Sequence, residues 1–403
     1  MRPVRERHVP VSPRVELGHR GLLTWARESA GYEIADAARL LNTSEEEVAR
    51  WEEGSDSPRY KQLERLANKY KRPLAAFFLP GVPKEPPRPA DFRTIPRRQS
   101  GEYEPESLLA FREARNWLAD TRELLELLEV DLRLSLPALR LTFPHDEAAA
   151  RVRSLLGITF EDQIGWRQDF RGVCDSWRDV LFDHGVVTLV FKMPFKDVRA
   201  FSTIGHDLGG IGLNSKDRKY GRVFSLFHEV GHLCLRQPGV SGALRAGPSR
   251  RPTEGRRSVE EYCDDFAASF LMPAEHPEVQ KALGVVRQDQ SRDRVEEVAN
   301  RLKVSKYAVL RRARDLGYVS QRTYSDVFQV WAEEDASLPR PSGGGNHVYT
   351  RVSHVGKRLT SVVLEALDSR QITPYRASRL LGIEPRHFGR ARELSFAGGR
   401  HAR

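Results

Sequence analysis

Residues 224–235 read FSLFHEVGHLCL, and this stretch decides how the rest of the chain is read. His228 and His232 stand four residues apart, so on a helix both imidazoles project from one face, about one turn apart, where they can hold one metal ion. Glu229 then stands beside that ion. Val223, Phe224, Leu226 and Phe227 precede the second half of the motif, and Leu233, Cys234 and Leu235 follow it, so apolar residues occupy nearly the whole circumference. Such a helix is expected to be buried. Each polar group buried in it without a partner costs about 1–3 kcal/mol, and a metal ion supplies the partner. The competing reading is a hydrogen-bonded histidine pair in a core, with Glu229 in a salt bridge.

A catalytic metal of this kind takes three protein ligands and keeps one open position. The third ligand is sought in SVEEYCDDFAASFLMP, residues 258–273, where four carboxylates crowd one helix. At about 100° per residue, Val259, Tyr262, Cys263, Phe266 and Phe270 define the centre of a buried stripe. Glu260 and Asp264 fall on its shoulder, with Ala267 and Leu271, while Glu261 and Asp265 are expected to face water. Glu260 is the best ligand candidate on this geometry. Asp264, one turn on, can accept a hydrogen bond from a ligand imidazole, and periodicity alone does not decide which of the two takes the metal. Cys263 is a softer donor at the stripe's centre, where a thiol is usually core. Zinc suits a set of two histidines and a carboxylate, and manganese or iron can occupy the same donors. Glu229 would take a proton from water and return it to a leaving amine, which is peptide-hydrolysis chemistry. His206 and Tyr220 lie near in sequence and are read as a surface histidine and a core tyrosine.

Working outward, the chain divides at stretches rich in Pro, Gly, Ser and Arg. The expected fold class is α+β and mostly helical: a helix-turn-helix domain over 15–80, a linker over 81–104, and a small zincin-like metallopeptidase domain with a short sheet over 105–290. A helix-turn-helix-like segment over 291–335 and a C-terminal helical region over 347–403 follow. In the first domain Gly31 closes a helix, Asn42 and Thr43 form a turn, and Ser44 with Glu47 is expected to form a capping box. GVVTLVF reads as a strand and AFSTIGHDLGGIGLN as another strand or two. Helices are expected to cover one side of that sheet. The pattern of the first domain returns at 295–320 and again at 374–393, giving three helix-turn-helix-like units.

With 403 residues, 30% of them charged, and no run of about 18 apolar residues, an integral membrane protein is excluded. The first twenty residues are basic without a following apolar stretch, so no secretory leader is expected and the chain is placed in the cytoplasm. Three dispersed cysteines, Cys174, Cys234 and Cys263, build no disulfide framework. The formal charge of +10 permits nucleic-acid or acidic-protein partners without choosing between them.

DFRTIP at 91–96, SWRDVLFDHGVVTLVF, GRVFSLFHEVGHLCL and EEYCDDFAASFLMP together resemble successive blocks of the ImmA/IrrE metallopeptidases, in the form with an N-terminal XRE-type helix-turn-helix. The resemblance implies that His228 and His232 are zinc ligands, that Glu229 is catalytic, and that Glu260, thirteen residues before the proline of LMP, is the third ligand. Asp264 sits where that family has Asn or Asp. The implied function is a zinc-dependent, site-specific metalloendopeptidase that cuts a repressor or antitoxin of the XRE class in stress or mobile-element regulation. Phe227 departs from the small residue usual before the first His and is expected to narrow the cleft or alter substrate choice. The loop 236–258 is basic, with Arg245, Arg250, Arg251, Arg256 and Arg257 against Glu254. It is read either as a solvated connector or as a substrate contact.

DNA binding by the first domain is expected to be weak. The start of its recognition helix offers Glu45, Glu46 and Glu47, which repel phosphate, and Arg39, Arg50 and Lys61 offset this in part. With Leu41 and Trp51 as core, that face is assigned to protein contact or homodimer formation. Arg311, Arg312, Arg314, Arg386, Arg390 and Arg392 in the later units are read as solvated surface. The alternative to the enzyme is a DNA-binding transcriptional regulator with a structural or sensory metal site.

Overall fold

The computed structural model describes residues 13–84, 103–166, 170–194, 198–217, 221–241, 258–337 and 346–396. Tyr220, the DFRTIP block and Arg245, Arg250, Arg251, Glu254, Arg256 and Arg257 of the basic loop lie outside the described residues. No described helix is long and apolar enough to cross a membrane.

The described residues divide into two compact units, the first holding 13–84 and 103–109. Its helices are α1 (Leu22–Ser29), α2 (Ile34–Leu41), α3 (Glu45–Glu53) and α4 (Tyr60–Tyr70). Leu22, Leu23, Ala37, Leu41, Val48, Trp51, Leu63 and Leu66 form its core. Between α2 and α3, Asn42 turns left-handed at φ 56°, which an Asn tolerates and which reverses the chain in three residues. The Ser44 hydroxyl accepts from the Glu47 backbone N–H at 3.2 Å. The expected capping box is only half formed, because the Glu47 carboxylate instead accepts from the Thr43 hydroxyl. Arg27 on α1 reaches Glu52 on α3 at 2.8 Å, both side chains nearly buried, so the helix pair is locked by a charge-assisted bond.

The second unit begins at Ala110, within α5 (Pro105–Leu127). After it come α6 (His145–Leu156), α7 (Phe160–Gly165), α8 (Phe170–Phe182), β1 (Val186–Phe191), β2 (Ala200–Gly205) and β3 (Leu208–Asn214). Next are α9 (Gly221–Cys234), the two-residue β4 (Val240–Ser241), α10 (Val259–Leu271), α11 (Pro277–Gln288), α12 (Arg292–Leu302) and α13 (Lys306–Asp315). The chain continues through α14 (Gln321–Ser337), α15 (His347–Val355), α16 (Lys357–Asp368), α17 (Pro374–Leu381) and α18 (Phe388–Phe396). The architecture is mostly helical α+β, as the sequence predicts.

Strand order is β1-β3-β2-β4, with β1 parallel to β3 and the other pairs antiparallel. The β2–β3 hairpin turns on His206 and Asp207, both at positive φ, which matches the right-handed twist of paired strands. His206 is exposed there. Helices cover both faces of the sheet rather than the expected one. On one face Phe201, opposite Gly212, meets Phe111 of α5 edge-on with ring centroids 4.7 Å apart. A Cβ at Gly212 would lie 2.2 Å from that Phe201 ring. On the other face Leu233 of α9 lies against Gly209, and Ile211 and Leu213 join the main core. The reason is present in β1, whose six residues are all buried: a continuous apolar run needs cover on both sides.

Phe227 does not line the cleft, contrary to the expectation. Its ring stacks on Phe270 at 3.9 Å and meets Trp177 edge-on at 4.8 Å, so the bulk added before His228 fills the core behind the motif.

Candidate metal centre

Helix α9 is buried from Val223 to Cys234. It packs against α10, and the close approach depends on Gly231: a Cβ there would stand 3.2 Å from both Cα and Sγ of Cys263. Cys263 thus serves as the floor under α9. It lies outside the metal-capable group, and burial pushes its thiol well above the ordinary range.

With the helices this close, His228, His232 and Glu260 bring their donor atoms within 4.8 Å of one another. The two Nε2 atoms are 3.2 Å apart. Glu260 places Oε1 3.1 Å from His232 Nε2 and Oε2 3.5 Å from His228 Nε2. All three residues are buried, with Glu260 7% exposed and the histidines less.

The other ring nitrogens fix the tautomers. His232 Nδ1 is 2.9 Å from the backbone carbonyl of Gln237, which can only accept, so Nδ1 carries hydrogen and donates. His228 Nδ1 stands 2.7 Å from Asp264 Oδ1 and donates to that carboxylate. In the neutral rings both Nε2 lone pairs then face each other and the Glu260 carboxylate. Three electron-rich groups at this separation need a cation between them. A proton fills the need in part: burial alone would lower the His228 imidazole, but Asp264 and Glu260 together push it up to about 10. Two imidazole nitrogens and a carboxylate oxygen are donors that zinc favours and that manganese and iron accept.

Glu229 is fully buried on the next position of α9. Burial raises its carboxyl above the usual range, and His232, His228 and the hydroxyl of Ser202 counter that rise. Ser202 was not foreseen from sequence. It lies on β2 opposite Ile211, on the face that α9 covers, and its backbone and hydroxyl also pair with Gly239. A serine in AFSTIG carries no sequence signal of such a place.

Arg311 is a second unforeseen member. Its guanidinium donates through Nη1 to Asp264 Oδ2 at 2.9 Å and through Nη2 to Asp265 Oδ1 at 2.8 Å. A largely buried chain therefore runs from Arg311 through the partly exposed Asp264 to His228. Two expectations are corrected here. Asp265 is buried rather than facing water, because α13 packs against the side of α10 that the apolar stripe leaves bare. Arg311 and Arg312 are buried rather than solvated; Arg312 donates to the Met272 carbonyl, to Ser269 and to Asp146.

A helix carrying HExxH, met by a carboxylate from the next helix beside a small sheet, defines the class of metal-capable peptidase-like domains. Residues 182–314 match the family model described as the IrrE N-terminal-like domain, a peptidase family, and residues 17–76 match that of a helix-turn-helix domain. The chain therefore carries, in this order, a helix-turn-helix domain and an IrrE N-terminal-like peptidase domain, as the resemblance implied. No curated protein and no solved structure matches the chain.

Proposed function

We propose that the protein is a zinc-dependent, site-specific endopeptidase that cleaves an XRE-type helix-turn-helix repressor or antitoxin and so relieves repression. The observation that carries this reading is the convergence of His228 Nε2, His232 Nε2 and the Glu260 carboxylate on one point, with Glu229 one residue from the first ligand. Zinc at that point would polarise the scissile carbonyl and make an attacking water more acidic. His228, His232 and Glu260 would hold the ion, and Asp264 and the Gln237 carbonyl keep the two imidazoles oriented with Nε2 inward. Glu229 accepts the water proton on its carboxylate and delivers it to the leaving amine nitrogen. Its buried setting, with proton affinity held up by desolvation and restrained by the two imidazoles, suits a group that must both take and give that proton. A protein substrate is favoured by the helix-turn-helix domain ahead of the peptidase domain, which offers a surface for like domains to meet.

The test is direct. The full chain, loaded with zinc, is incubated with each XRE-type helix-turn-helix repressor of its own genome, and products are read by mass spectrometry. A single cut is expected, lost on chelation and restored by zinc. An intact repressor under every metal condition would contradict the substrate assignment.

A further inference from the structure

Three helix pairs in this chain share one internal geometry, and their outward faces differ. In each, two residues four apart on the first helix are buried, Ala37 and Leu41, Val298 and Leu302, Ala377 and Leu381. The next residue turns left-handed, Asn42 at φ 56°, Lys303 at 60° and Gly382 at 65°. Six and nine residues beyond that turn, the second helix buries Val48 and Trp51, Val309 and Arg312, Phe388 and Ala391. Pairs α2–α3, α12–α13 and α17–α18 are thus three copies of one helix-turn-helix.

The first copy opens its second helix with Glu45 and Glu46, both exposed. The middle copy has spent its second helix on the peptidase domain. Lys306 is buried against Asp335 and Glu296, Tyr307 donates to Asp335, and Arg311 holds Asp264 and Asp265. The first copy sets its exposed Arg50 beside Glu45 and Glu46, whereas the last copy presents arginine at both of the matching exposed positions. At the positions of Glu46 and Arg50 in the first copy and of Tyr307 and Arg311 in the middle one stand Arg386, in the single 3-10 turn Pro385–His387 that leads into α18, and Arg390, on α18 itself, with side chains 71% and 58% exposed. Arg379 and Tyr375, on the first helix, are exposed as well, Tyr375 by 73%. Arg386 pairs with Glu384 at 3.1 Å and Arg390 with Glu393 at 2.6 Å. Such exposed pairs contribute little and are readily exchanged for phosphate.

We propose that the C-terminal helix-turn-helix, α17–α18, is a duplex-DNA-binding site, with Arg386 and Arg390 entering the major groove and Tyr375 and Arg379 meeting the backbone. The second helix of such a unit reads the groove with residues near its start, while the first lies across the phosphates. Guanidinium groups suit both tasks, being permanent charges with paired donors. The proposal is independent of the peptidase reading.

The test uses the full, zinc-loaded chain and a fluorescent duplex of about 30 base pairs, titrated by anisotropy across about 50–200 mM salt. Salt-dependent binding is expected. R386Q/R390Q should weaken it at least about tenfold, the loss expected of two groove-reading arginines. R379Q should lower the slope of log affinity against log salt by about 1, the loss of one phosphate contact. The metal content and thermal midpoint of these surface variants should equal those of the wild type, which excludes misfolding as the cause. Wild type without salt-dependent duplex binding would overturn the proposal, as would variants that bind like wild type. Competition by polyglutamate as effective as by unlabelled duplex would also overturn it, because the face would then fit an acidic protein.

Discussion

Replacing Glu229 by Gln should lower peptide hydrolysis by about 10²–10⁴-fold, the usual contribution of a positioned proton acceptor, while metal content stays at the wild-type level. The two outcomes separate because Glu229 lies outside the group of donors that converge, yet shares its buried space. Gln is nearly isosteric and neutral, so it fits the pocket and spares the burial of a charge, but it has no basic oxygen to take a proton. Zinc per chain and turnover, measured on the same preparation, check this. Equal turnover in the variant would show that Glu229 moves no proton and that the helix serves another purpose.

The second large effect is expected far along the chain. Arg311→Met should weaken metal binding by about 10–100-fold, the typical loss when a partner of a ligand's orienting group is removed. It should also destabilise the fold by about 3–5 kcal/mol, because Asp264 and Asp265 would keep buried charge without the guanidinium that satisfies both. Arg311→Lys retains the charge but cannot bridge two carboxylates at once, so metal affinity should fall between the two. A chelator competition assay reads the first effect and thermal unfolding the second. A purely structural Arg311 would lower stability while leaving the metal affinity of the folded protein unchanged.

These expectations rest on residues of unequal legibility. Helices α9 and α10 can be read from sequence because their apolar residues leave a regular trace, and the helix sought within 258–273 spans Val259–Leu271. Periodicity also put Glu260 and Asp264 on the shoulder of the buried stripe of α10, and in the structure both reach the histidines of α9. The same periodicity misplaced Asp265, since it treats the side opposite an apolar stripe as solvent. Here that side meets Arg311, and charge against charge leaves no apolar trace. The three helix-turn-helix copies were legible as a repeated pattern, but the burial of Arg311 and Arg312 was not, because an arginine is buried only where carboxylates and carbonyls from distant segments await it. Helical cover on both faces of the sheet was present in the unbroken run VVTLVF and outweighs the impression given by chain order alone.

One measurement bears most directly on the account: equilibrium zinc binding by the full chain and by its Glu260→Ala variant, followed by competition with a chelating dye. One tightly held ion per wild-type chain is expected, with affinity reduced in the variant by more than the roughly 100-fold seen for outer partners. An ion bound equally well without the Glu260 carboxylate, or no bound ion in the wild type, would contradict it.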